Sequence, residues 1–209
     1  MKQMLKEAAI LFIITIIAGL ALGYVYQLTK GPIDKQNEIK LKEAYRAVFP
    51  EAESFADDET FSSEKAETIL RNYDKEHDYS GSVIEKFSFA YDSNNSLIGY
   101  VITVTNSEGF NGNITFSMGI KLDGTMNGIS ITSISETAGL GMKAPEVLAP
   151  QFENKSTSSR FAVTKNGAVY DNEIDAITSA TITSKAVTSG VNAGVAYYRY
   201  YVEEGSGNE

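Results

Sequence analysis

The sequence predicts an α+β protein: one N-terminal transmembrane helix followed by an antiparallel-sheet domain with flanking helices. Three observations predict it. Residues 8–28 carry no charge. Between residues 83 and 131, apolar side chains recur at every second position, the period of a strand with one buried face. Near the C-terminus, Val187, Val191, Val195 and Tyr198 recur at the spacing of one helical stripe.

Residues 1–7 read as a short stub carrying Lys2, Lys6 and Glu7. The run AAILFIITIIAGLALGYVYQL, residues 8–28, reads as the transmembrane helix. At about 1.5 Å per residue it is long enough for a hydrocarbon core of about 30 Å. Tyr24 and Tyr26 lie near one end, as interfacial aromatics do. A signal peptide would share the basic start and offer Ala21-Leu22-Gly23 as a cleavage site. The apolar run continues past that site, which favours a retained anchor. Lys30, Lys35, Lys40, Lys42 and Arg46 outnumber Lys2 and Lys6, so the basic count alone would keep the domain cytoplasmic. That count loses force for long translocated domains.

Gly31-Pro32 is expected to end the membrane helix. Residues 29–82 then form a helical connector region. Ile33 to Val48 reads as a helix whose Leu41, Ala44, Tyr45 and Val48 make one stripe, and a second helix is expected over Ser63 to Asn72. His77, in KEHDYS, reads as a solvated loop residue.

Residues 83–203 read as the folded domain. Phe87, Phe89 and Tyr91 alternate up to the turn Ser93-Asn94-Asn95-Ser96, and Ile98, Tyr100, Ile102 and Val104 alternate after it. Ile114, Phe116, Met118 and Ile120 form a third strand, Asp123-Gly124 a hairpin turn, and Ile129 and Ile131 open a fourth. These strands imply an antiparallel sheet, apolar on one face. The last helix is expected to start near Thr183, with Ala193, Gly194 and Ala196 allowing close packing beside its stripe. Residues 204–209 read as a flexible tail.

Composition excludes several chemistries. The chain has 209 residues, 18 Lys+Arg against 27 Asp+Glu, one His and no Cys. An acidic surface argues against binding a nucleic-acid backbone. Without Cys there is no disulfide, thiolate metal site or Cys nucleophile in this chain. With a single His, neither a metal-ligand set nor a catalytic residue is expected.

Two segments stand out. In DAITSATITS, residues 175–184, hydroxyls at 178, 179, 181, 183 and 184 surround two alanines just ahead of a helix. Thr183 or Ser184 can cap that helix, and a helix start with small neighbours can seat an anion. A plain capped turn has the same composition. In SETAGLGMK, residues 135–143, Gly139 and Gly141 bracket Leu140, so a loop can present an apolar side chain and free N–H groups to a flat ligand. A glycine turn reads the same way.

Taken together, SETAGLG and DAITSATITSKAV resemble the FMN-binding domain found in the G subunit of Rnf complexes and in the C subunit of sodium-pumping quinone reductases. Those carry an ETPGLG loop and an SGAT(L/I)TS flavinylation motif. The likeness covers nearly the whole chain. It implies one covalent FMN per chain, esterified through its phosphate to Thr181, with Thr178, Ser179, Ala180, Thr183 and Ser184 around it. It also implies an isoalloxazine ring against Gly139, Leu140 and Gly141, with Glu136 and Thr137 setting the loop. Ser179 stands where the family usually has Gly, and fits a turn of negative φ; a left-handed turn would call for glycine. Ala138 stands in place of Pro.

The resemblance further implies a membrane protein that relays electrons inside an ion-translocating ferredoxin:NAD oxidoreductase, with the other subunits as partners and no complete active site of its own. No side chain near Thr181 reads as a tuned base, so attachment calls for a separate, metal-dependent flavin transferase. The family topology puts the N-terminus in the cytoplasm and the FMN domain outside, against the basic count. Two alternatives stay open: the corresponding role in a sodium-translocating quinone reductase, and a membrane-anchored binding module with no redox function.

Overall fold

The computed structural model describes residues 2–206, without the side chains of 205 and 206. The tail residues 207–209 thus lie outside the described residues. The chain divides into two compact units, Met1–Lys40 and Leu41–Glu209.

The first unit is helical. It is the larger part of α1, which runs from Lys2 to Val48 and is apolar enough over its strongest 18-residue window to cross a membrane. None of that window is buried within the protein. A stripe would leave one polar face; here Ile10, Leu11, Phe12, Ile13 and Ile14 are exposed all round, the pattern of a helix solvated by lipid. The expected break at Gly31-Pro32 is not found, because Pro32 lies inside α1. One proline removes a single hydrogen bond and kinks a helix, and good helix formers follow at Lys35, Gln36, Glu38 and Lys40. The Thr29 hydroxyl also donates to the carbonyls of Val25 and Tyr26, at 2.9 and 3.3 Å.

The second unit holds the sheet. Its strands are β1 (Ser54–Asp57), β2 (Ser82–Tyr91), β3 (Leu97–Asn106), β4 (Ile114–Lys121) and β5 (Met126–Ser133). They lie in chain order, each antiparallel to the next. The second expected helix is α2 (Ser63–Tyr73). Residues 41–82, read from sequence as connector, belong to this unit: β1 is its edge strand and α2 packs on the last helix, α3 (Thr181–Ser206). Two short strands that the sequence pattern did not reveal, β6 (Ala162–Thr164) and β7 (Glu173–Asp175), pair in parallel. Glu204 to Ser206 continue α3.

The main core forms where α3 and α2 cover one sheet face. Ile102, Val104, Phe116, Met118 and Ile120 are fully buried there with Val187 and Val191. A Cβ at Gly194 would lie 2.3 Å from Met118 Sδ, so glycine sets how closely helix and sheet approach. The other face is also covered, contrary to the one-faced expectation. Tyr45 and Val48 at the end of α1, with Phe49 after it, pack on Ala90 and Val101. The Phe49 ring occupies the space that side chains at Gly99 and Gly119 would fill. Beside it the Tyr45 hydroxyl lies 3.1 Å from Ser88 Oγ and 3.4 Å from Thr103 Oγ1.

A candidate flavin site at the start of helix α3

The chain leaves β7 at Asp175 and folds back over the first turn of α3. Ala180 N–H donates to the Ile177 carbonyl at 2.9 Å, closing a tight turn through Thr178 and Ser179. Ser184 Oγ accepts from the Ile177 N–H and donates to the Ala180 carbonyl, each at 3.0 Å. Helix α3 starts at Thr181 rather than near Thr183. Thr183 and Ser184 therefore sit inside the first turn instead of capping it, and Ala180 precedes the helix. The N–H groups of Thr181, Ile182 and Thr183 open the helix without a carbonyl a turn earlier to bond, and the ladder begins with the Ser184 N–H to the Ala180 carbonyl at 3.0 Å.

The turn is left-handed at Ser179, with φ of 63°. This is the conformation that calls for glycine, so the serine is held in place against a steric penalty of about 1–2 kcal/mol. The helix start nevertheless forms with serine there.

The glycine loop after β5 meets this helix start. One cavity of about 310 Å³ is lined by Glu136, Thr137, Leu140 and Gly141 from the loop and by Ser179, Ala180, Thr181 and Thr183 from the helix start. Two segments about forty residues apart in sequence thus share one cavity. Three of the expected residues do not line it. Thr178 points to solvent, Gly139 is exposed with φ of 76°, and Ser184 is buried beneath the turn.

Glu136 is 8% exposed. Its Oε2 accepts from Thr183 Oγ1 at 3.0 Å, and its Oε1 accepts from the Asn111 N–H at 3.2 Å. A Cβ at Gly141 would lie 2.6 Å from Thr183 Oγ1 and 2.7 Å from Glu136 Cβ, so only glycine lets the loop approach the helix this closely.

Two lining residues escaped the sequence reading. Phe110 is 66% exposed and Ile182 is 51% exposed, and both open onto the cavity. The signal for Phe110 was a lone aromatic between Gly109 and Gly112 in a polar stretch; for Ile182 it was the one large apolar side chain among residues 178–184. With Leu140, they add apolar side chains to a lining that also carries hydroxyls. That combination suits a flat aromatic ring carrying a phosphate tail.

His77 lies in the loop after α2, with Nδ1 2.8 Å from Asp74 Oδ1. The Tyr79 hydroxyl donates to Asp74 Oδ2 at 2.5 Å. Burial pushes the Asp74 carboxyl up, but the hydrogen bonds from Tyr79 and His77 outweigh it and hold it below the usual carboxylate range. Burial and the Asp74 carboxylate push the Tyr79 phenol up to about 12. Among the described residues, no three His, Asp or Glu side chains come together to hold a metal ion.

A family model described as the FMN-binding domain matches residues 109–196, which span the whole cavity, and a second, the RnfG N-terminal region, matches residues 1–48. Fold and site thus define an FMN-binding-domain protein with an N-terminal helix able to cross a membrane. Over 95% of this chain and 93% of its own, the G subunit of the Na⁺-translocating ferredoxin:NAD⁺ oxidoreductase complex of Acetobacterium woodii is 36% identical. The G subunit of the ion-translocating oxidoreductase complex of Methanosarcina acetivorans is 28% identical, over 94% of this chain and 95% of its own. The chain belongs to this RnfG family. Among solved structures, NqrC of Shewanella oneidensis shares a partial likeness, with TM-score 0.49 and 17% identity over 57% of this chain and 59% of that one.

Proposed function

We propose that this chain is the membrane-anchored electron-transfer subunit of an Rnf-type ion-translocating ferredoxin:NAD oxidoreductase, carrying one FMN joined through its phosphate to Thr181. The observation that supports it is the single cavity shared by the SETAGLG loop and the start of α3. Bound flavin supplies the redox chemistry. The chain's own residues supply attachment, charge stabilisation and shielding.

Thr181 is the first residue of α3 and is half-buried in the cavity wall. A phosphodiester there keeps one negative charge. The positive end of the helix and its free N–H groups stabilise such a charge by about 0.3–1 kcal/mol. Leu140, Phe110 and Ile182 keep water from an apolar ring. The one buried carboxylate lining the cavity, Glu136, is hydrogen-bonded to Thr183 and Asn111 rather than to Thr181. Ester formation then requires an external flavin transferase. The other subunits of the complex are the electron donor and acceptor.

Intact mass of the protein purified from its native membrane tests the assignment. The expected result is a gain of FMN less one water, located by fragment masses on Thr181. Thr181→Val should remove that mass while far-UV circular dichroism stays unchanged. Covalent flavin persisting in Thr181→Val would overturn the assignment.

A further inference from the structure

Glu136 has a role that neither the flavin attachment nor the apolar lining accounts for. It is the one charged side chain among the described residues lining the cavity. Both its oxygens are engaged: Oε2 by Thr183 Oγ1 at 3.0 Å, and Oε1 by the Asn111 N–H at 3.2 Å. Asn111 Nδ2 adds a bond to the Ser135 carbonyl at 3.0 Å. Glycines close around the carboxylate at both ends. A Cβ at Gly109 would lie 2.7 Å from Oε1, and one at Gly141 would lie 2.9 Å from Oε2. A single carboxylate thus ties the 109–112 loop, the 135–141 loop and the first turn of α3, the three segments that make the cavity.

A buried carboxylate without a cationic partner is costly unless its hydrogen bonds are complete. None of the ion pairs found among the described residues includes Glu136. Among the described contacts its charge is met by a hydroxyl and an N–H, with the start of α3 beside it, and it acts on whatever fills the cavity.

We propose that Glu136 is a positioning residue that fixes the three cavity walls and, through its charge, lowers the midpoint potential of the flavin. This rests on the flavin reading above. Electrons arriving on a ring beside a fixed negative charge are opposed by it, so the potential is lower than the same pocket would give with a neutral side chain. Thr183 takes part with the opposite sign. Its hydroxyl, donated to Oε2, withdraws part of that charge.

The test is a spectroelectrochemical titration of the full-length, detergent-solubilised chain, after intact mass has established its covalent flavin. Glu136→Gln should shift the midpoint upward, and Thr183→Val should shift it downward. A role confined to holding the walls would move both variants the same way, because both loosen the same contact. Equal or like-signed shifts, with flavin still attached, would overturn the proposal. Should Glu136→Gln fail to fold, Thr183→Val decides alone: an unchanged or raised potential overturns it. A wild-type chain without flavin mass would instead overturn the underlying reading.

Discussion

Ser179 shows how much one dihedral angle can decide. Its φ of 63° falls where L side chains crowd the following carbonyl, yet the residue is a serine with its side chain exposed. The turn is held from both sides: by the Ala180 N–H to the Ile177 carbonyl, and by the two hydrogen bonds of Ser184 Oγ, one accepted from the Ile177 N–H and one donated to the Ala180 carbonyl. Replacing Ser179 by glycine should remove the steric penalty while adding freedom to the unfolded chain. The net gain is about 0.5–1 kcal/mol. A higher thermal midpoint for Ser179→Gly, with covalent flavin at least at the wild-type level, is the expected outcome. A lower midpoint would mean that the serine hydroxyl makes a compensating contact in the loaded site. At this scale the sequence was legible at Glu136, Leu140, Gly141 and Thr181, whose types matched a recognisable pattern. It was not legible at Phe110, because an aromatic in a polar loop reads as a loop until the fold brings it beside the start of α3.

At the scale of elements, the sheet gains its second covered face from residues that look unremarkable in sequence. Phe49 is completely buried against Ala90 and Val101, and its ring lies over Gly99 and Gly119. Phe49→Ala should therefore destabilise the second unit by about 3–5 kcal/mol, the usual cost of emptying a phenylalanine site in a core. Chemical denaturation of wild type and variant checks this. A loss below about 1 kcal/mol would show that the end of α1 does not stabilise the sheet. The four longer strands were legible because strict alternation survives even where the residues are small. β1 was not: four residues, SFAD, at a polar edge are too short for any period to emerge. The covered far face was hidden for a different reason. Glycines and hydroxyls at Ser88, Gly99, Thr103, Ser117 and Gly119 read as solvent-facing, whereas they are packed under Tyr45 and Phe49 or hydrogen-bonded to one another. Helix α1 passes its expected end because a proline, though it costs about 3 kcal/mol, can kink a long helix without ending it when helix formers follow.

For the whole molecule, the proposed covalent attachment and the expected membrane topology bear on each other. A tethered cofactor has its clearest use where lost FMN cannot be replaced, which is outside the cytoplasm. The five basic residues after the membrane run would argue for the opposite side, but a translocated domain of this length is little affected by such a count. The chain has no cysteine, so one introduced thiol reports its side without background. Ser159 is exposed on the second unit, and Gln3 lies in the N-terminal stub. In intact cells, a membrane-impermeant maleimide should label Ser159→Cys fully and Gln3→Cys only after permeabilisation. The reverse pattern would place the flavin domain in the cytoplasm. The proposed Thr181 ester would then lie in a compartment already supplied with flavin, and the reason for such a linkage would have to be sought in the fixed position of the ring rather than in its retention.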